Sequence, residues 1–190
     1  MNTGHGWGNN ELQFYTVNNE NVKLENGILI IETRKEDMDG RNYTSARLFS
    51  KKTFRYGYFE MKAKLPVGRG IWPAFWLLGA NKSIKWPTVG EIDVMEYVGF
   101  EPNKVHGTIH CAAYNHTIGT QKGQSTSFDD QAWNLFQLDW RKNSIRIYVN
   151  NQLYFNFNKE ENAGEDEWPF DNQFNIIINT AVGKLNARSI

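Results

Sequence analysis

The chain has a single cysteine, Cys111, so no internal disulfide can staple it and the fold must rest on its core. Neither sign of charge predominates. Lys plus Arg and Asp plus Glu number 21 each, so the formal net charge is zero and no long-range field draws in nucleic acid or an anionic membrane. Neither partner is expected. No apolar run approaches the roughly 18–20 residues that span a bilayer, and the opening MNTGHGWGNNELQ lacks a basic stretch followed by an apolar one, the mark of a secretory leader. Helical periodicity is missing as well. No stretch of about a dozen residues keeps apolar groups at helical spacing, and Pro66, Pro73, Pro87, Pro102 and Pro169 stand where a long helix would begin.

What is abundant is aromatic. Seven Trp, eight Tyr and twelve Phe in 190 residues exceed the needs of an average core, and indole stacks on the flat C–H faces of sugar rings. A neutral, Trp-rich chain is therefore a candidate carbohydrate binder, with an aromatic-rich β core as the plainer reading. Period-two alternation recurs in the segments 26–35, 56–65, 143–158 and 172–182, with turn residues between them. In the second, Gly57, Phe59, Met61, Ala63 and Leu65 share one side and Tyr58, Glu60, Lys62 and Lys64 the other, as in a half-buried antiparallel strand. Asn150–Asn151 reads as a two-residue hairpin turn. The expected class is all-β, a two-sheet antiparallel sandwich forming a single domain over residues 1–190. The stretch ENAGEDE (161–167) reads as a solvated acidic loop.

The segment GEIDVMEYVG (90–99) sets three acids within six residues, among apolar and β-branched neighbours and between two glycines. A helix would leave Glu91 well away from the side shared by Asp93 and Glu96, whereas Ile92, Val94 and the flanking glycines favour a strand. In a regular strand Glu91 and Asp93 share a face and Glu96 points to the other. A β-bulge near Val94 or Met95 absorbs one residue and returns Glu96 to the face of the other two. Glu91 and Glu96 then have Cα atoms about 13 Å apart at ~3.3 Å per residue. Side chains leaning inward can close the carboxyls to the roughly 5–5.5 Å of a double displacement at a sugar. Glu91 would be the nucleophile and Glu96 the acid and base, with Asp93 between them tuning both. A solvated acidic face or a hard-cation site are the alternatives. Zinc binding by His106 and His110 is not expected, because a strand through Gly107, Thr108 and Ile109 holds the two imidazoles about 13 Å apart.

With these residues in view, the chain resembles glycoside hydrolase family 16, in particular its laminarinase-like endo-β-1,3-glucanases, whose hallmark is a bulged E-I-D-x-M-E strand. The blocks GNNELQFYT (8–16), YTSARLFS (43–50), YGYFEMKAKLPVGRGIWPAFWLLG (56–79), WPTVGEIDVMEYVG (86–99) and VHGTIH (105–110) are similar to those of that family, in its order. The resemblance covers about residues 4 to 183. It implies a concanavalin A-like jelly roll with a glycan cleft on its concave sheet, a retaining mechanism, and catalytic Glu91, Asp93 and Glu96.

The resemblance further implies cleft positions for Trp72, Trp76 and Trp86, hydrogen-bonding roles on the glycone side for Asn10 and Arg47, and a place for His110 beside the acids. The implied partner is a β-glucan, the implied location extracellular and the implied state monomeric, with no cofactor required. Family members usually carry a further strand or two before GHGWGNNEL and a final strand after INTAVG, where this chain reads KLNARSI, so the first and last strands are expected to be missing. Many members build a structural calcium site from those terminal segments, and here the segments differ. Related scaffolds also include non-catalytic glucan-recognition proteins, which have typically lost one or more acids, and siblings that cut mixed-linkage glucan or marine galactans. WPAFW and NNELQ favour the 1,3-linked substrate.

Overall fold

The structure is a computed structural model that describes residues 4–6 and 8–183. Its strands, in chain order, are β1 (Gly4–His5), β2 (Gln13–Tyr15), β3 (Val22–Glu25), β4 (Ile28–Ile31), β5 (Tyr43–Ser45), β6 (Arg47–Phe49), β7 (Gly57–Ala63) and β8 (Ile71–Gly79). They continue with β9 (Glu91–Tyr97), β10 (Lys104–His110), β11 (Lys122–Ser127), β12 (Asn134–Arg141), β13 (Ser144–Val149), β14 (Gln152–Asn158) and β15 (Phe174–Val182). One 3₁₀ turn, Pro169–Asp171, is the helical element among the described residues, and no helix there is long and apolar enough to cross a membrane.

Two sheets form the layers. A six-stranded sheet, ordered β11-β10-β9-β8-β15-β6, faces a four-stranded sheet, ordered β14-β13-β12-β7. Alternation in β7 works as its sequence implies: Phe59, Met61 and Ala63 pack against the core. The inner faces contribute Leu77, Ile92, Val94 and Ile109 from one sheet and Phe136, Leu138, Trp140, Ile145 and Ile147 from the other, all fully buried. Each such side chain contributes about 1.5–3 kcal/mol of burial, which is how a chain without disulfides holds together. The core also absorbs aromatic residues: Trp140, Trp168, Phe170 and Phe174 lie within it, and Trp140 packs edge-on to Phe174 at 5.2 Å between centroids. Part of the aromatic excess is thus structural, as the plainer reading held.

Asn150 and Asn151, at φ 50° and 66°, make the tight connection of β13 to β14. The 26–35 segment yields only the short β4, paired with β3 in a separate two-stranded sheet. One pairing departs from the antiparallel expectation, because β2 runs parallel to β5 in a small sheet with β1. The 33-residue stretch from Gln13 to Ser45 accommodates this: the chain between them carries the β3–β4 hairpin, a long excursion that lets it re-enter in the same direction. The segment KLNARSI (184–190) lies outside the described residues, and with it the departure expected there and any calcium ligand it would supply.

Candidate active site

The site is built on β9 and its two neighbours. Gly90, with φ +83°, turns the chain into the strand, and a Cβ there would fall 2.8 Å from Pro169 Cγ and 2.9 Å from Phe174 Cζ. Only glycine meets both conditions, and Glu91 is thereby placed at the strand's first position. Against β8 the register pairs Ala74 with Glu96 and Phe75 with Met95, then skips to Trp76 with Asp93. Against β10 it pairs His106 with Glu96 and Thr108 with Asp93. Val94 has no register partner on either side: it is the extra residue of a bulge. Val94 and Met95 both turn into the core, at 0% and 1% exposure, and Glu96 emerges on the same face as Glu91 and Asp93.

That face floors a cleft of about 630 Å³ lined by all three acids and by Trp72, Trp76 and Trp86. On β8, Trp72, Ala74 and Trp76 share the cleft side while Phe75 and Leu77 are buried in the core. Small Ala74 sits beside Glu96 and leaves the carboxyl open to the cleft. Two of the indoles also do a second job that stacking alone does not suggest. Trp72 Nε1 donates to Glu96 Oε1 at 3.1 Å, and Trp86 Nε1 donates to Glu91 Oε2 at 3.1 Å. Trp76 instead donates to Asn179 Oδ1 at 2.8 Å, and Asn179 in turn donates to the Tyr15 hydroxyl at 3.0 Å.

Burial pushes all three carboxyls upward from their ordinary values. The charge of Glu96 adds to this at Glu91, and the charges of Glu91 and Glu96 add to it at Asp93. Hydrogen bonds act against it at both glutamates: Trp86 and Asp93 favour ionised Glu91, and Trp72 favours ionised Glu96. The bond between Asp93 and Glu91 raises Asp93 while lowering Glu91, which makes Asp93 the protonated donor of that pair. Like charges this close cannot all ionise cheaply, so the cluster retains protons into the neutral range.

His110 lies behind the acids and not on the cleft wall. It is 4% exposed, its Nε2 stands 3.5 Å from Asp93 Oδ2, and burial, with the neighbouring His116, holds it down to about 4. A neutral imidazole therefore backs Asp93. Ligand atoms of Glu91, Asp93 and His110 lie within 4.8 Å of one another, a donor set able to accept a cation. His106, by contrast, is bonded to Glu101 at 2.9 Å, away from His110.

Arg47 lies at the cleft end formed by Tyr15, Glu11 and Asn179, its guanidinium 4.5 Å from the Tyr15 ring centroid. Asn10 requires a correction. It is exposed in the Gly8–Asn10 turn and is not among the lining residues, whereas Asn9 is, because successive residues of a tight turn point in different directions. His116 and Thr117, in the loop after β10, also line the cleft, and the His116 ring lies 4.9 Å from that of Trp86. No sequence signal singles out His116, a lone histidine in a polar loop.

The bulged strand thus presents two buried carboxyls, Asp93 and Glu96, and the half-buried Glu91 to an indole-lined cleft. The model of the glycosyl hydrolases family 16 matches residues 9–189. This chain belongs to glycosyl hydrolases family 16. A β-glucanase of Rhodothermus marinus is 47% identical over 95% of the chain and 67% of its own length. A glucan endo-1,3-β-glucosidase of Cryptopygus antarcticus is 38% identical over 94% of the chain and 72% of its own length. The X-ray structure of the Rhodothermus marinus laminarinase superposes with a TM-score of 0.92 at 45% identity, over 96% of this chain and 78% of that one. The family 16 jelly roll accounts for the sandwich described above.

Proposed function

We propose that this family 16 protein is a retaining endo-β-1,3-glucanase acting on glucans such as laminarin, with Glu91 as nucleophile and Glu96 as acid and base. The observation that carries the reading is the bulge at Val94, which brings Glu91 and Glu96 onto one cleft face. The activities named for the Rhodothermus and Cryptopygus relatives supply the substrate class.

The hydrogen bonds support the division of roles. Ionised Glu91 accepts from Trp86 and from Asp93, two donors that stabilise a carboxylate poised to attack the anomeric carbon. Burial raises both glutamates, Glu91 to about 8 and Glu96 to about 7, so it does not separate them. Glu96 accepts from one donor, Trp72, against two at Glu91, and with Glu91 ionised Glu96 is the acid that protonates the leaving oxygen. Once the glycosyl–Glu91 ester forms, Glu96 is ionised and takes a proton from the incoming water, and ester hydrolysis restores both groups. Asp93 gives its hydrogen bond to Glu91 in the free state, and His110 backs it from below. Trp76, whose indole N–H is engaged by Asn179, presents its ring to the cleft as a sugar platform.

Reducing-sugar release from laminarin, lichenan and agarose, by wild type and by Glu91→Ser, tests this. Release from laminarin that is abolished by the substitution is expected. Release that survives it removes Glu91 from the nucleophile's role, binding without release makes the protein a glucan-recognition module, and a preference for lichenan or agarose reassigns the linkage.

A further inference from the structure

The bulge in β9 does not stand alone. In the other sheet, β14 pairs with β13 as Phe155 with Ile147 and then Leu153 with Tyr148, so Tyr154 is an extra residue there. Phe155 is buried and Leu153 is 52% exposed, while the ring of Tyr154 packs against the core between the layers. Its hydroxyl reaches across and donates to the carbonyl of Val94 at 3.2 Å. Val94 is the residue left over in β9, so the extra residue of one sheet is hydrogen-bonded to the extra residue of the other.

The contact has a matching notch. Gly107 of β10 lies opposite the β9 bulge, where the register passes from His106 to Thr108. A Cβ on Gly107 would fall 2.6 Å from the Tyr154 hydroxyl and 3.0 Å from its Cζ, so the phenol occupies the space that any larger residue would need. Burial, together with the charges of Glu96 and Asp93, pushes the phenol upward, so it remains a donor throughout the working range.

We propose that Tyr154 is a positioning residue for the hydrolytic pair: its hydroxyl, seated over Gly107, pins the Val94 carbonyl and so holds the bulge that turns Glu96 into the cleft. The inference rests on the glucanase reading for its kinetic consequence and on geometry alone for its structural one. Without the hydroxyl, the segment Val94–Glu96 can relax by a fraction of a residue's rise, and misplacement of an acid by about 1 Å can cost up to ~10²-fold in rate.

The test uses Tyr154→Phe, Gly107→Ala and the double variant, with laminarin kinetics, pH profiles, melting temperatures and amide chemical shifts. In Tyr154→Phe, kcat is expected to fall about tenfold with KM within about twofold of wild type. The alkaline limb of its profile moves to lower pH, because a loosened Glu96 loses part of its burial. Gly107→Ala is expected to produce the same kcat defect by pushing the ring away, and the double variant to be no worse than the poorer single one. A lower melting temperature with kcat and pH profile unchanged would make Tyr154 structural only and overturn the proposal. If wild type releases nothing from laminarin, the glucanase reading fails, and the amides of Val94, Met95 and Glu96 decide: their shift in Tyr154→Phe supports the pin, and unmoved signals refute it.

Discussion

Two acid-rich stretches, 91–96 and 161–167, are built from the same residue types and end in opposite environments. Glu161, Glu165 and Asp166 stand exposed in a loop, and Glu167 accepts a hydrogen bond from the Gly164 backbone. Glu91, Asp93 and Glu96 are enclosed by indoles and a neutral imidazole, with Asp93 at 3% and Glu96 at 8% exposure. Water solvates each charge in the loop independently, whereas the strand forces its carboxyls to share protons and a few fixed donors. The chemistry comes from confinement and direction, not from the number of acids.

The sharpest way to break this contrast is to neutralise one acid in each place. Glu91→Gln is expected to lower kcat on laminarin by at least about 10³-fold, whereas Glu165→Gln leaves it within experimental scatter; comparable losses in both would erase the distinction. Next in size is Asp93→Asn, which keeps the shape but alters the donor facing Glu91. A fall in kcat of about 10²-fold with little change in KM is expected from steady-state kinetics. Trp76→Ala removes the ring and leaves Asn179 without its indole partner, so KM rises roughly three- to tenfold while kcat changes less, as measured with laminarin oligosaccharides.

Stability gives the smallest and most diagnostic effect. Glu91 has a folded-state pKa above its ordinary 4.5, so between the two values the native state holds more protons than the unfolded one. Its contribution is fully present below the unfolded value and is lost as pH rises through the folded one. Glu91→Gln should therefore raise the melting temperature by about 2–4 °C per kcal/mol recovered, and more in mildly alkaline than in mildly acidic buffer. His110 acts in the opposite sense, since a base held down to about 4 costs stability as pH falls below its ordinary 6.5. Calorimetry of Glu91→Gln and Glu165→Gln across pH would show a pH-dependent gain in the first and a flat response in the second.

What was legible in the chain follows from short-range rules. Period-two alternation located β7 and β15, two asparagines able to adopt positive φ located the β13–β14 turn, and the odd spacing of Glu91 and Glu96 required a bulge where Val94 now stands. Local patterning says which side a residue faces, because the pleat repeats every two residues. It does not say what lies opposite. That the indoles of Trp72 and Trp86 donate to the two glutamates, that Asn9 and not Asn10 reaches the cleft, and that His116 joins its lining depend on loops and strands brought together from distant positions.

The sequence by itself determined an all-β sandwich and a triad of acids on one strand, since pleat parity and side-chain chemistry are local properties. Only the tertiary structure decided the parallel pairing of β2 with β5, the sharing of protons among the acids, and the meeting of Tyr154 with Val94 over Gly107. Those depend on burial and on contacts between residues as many as 60 positions apart, which no periodicity encodes.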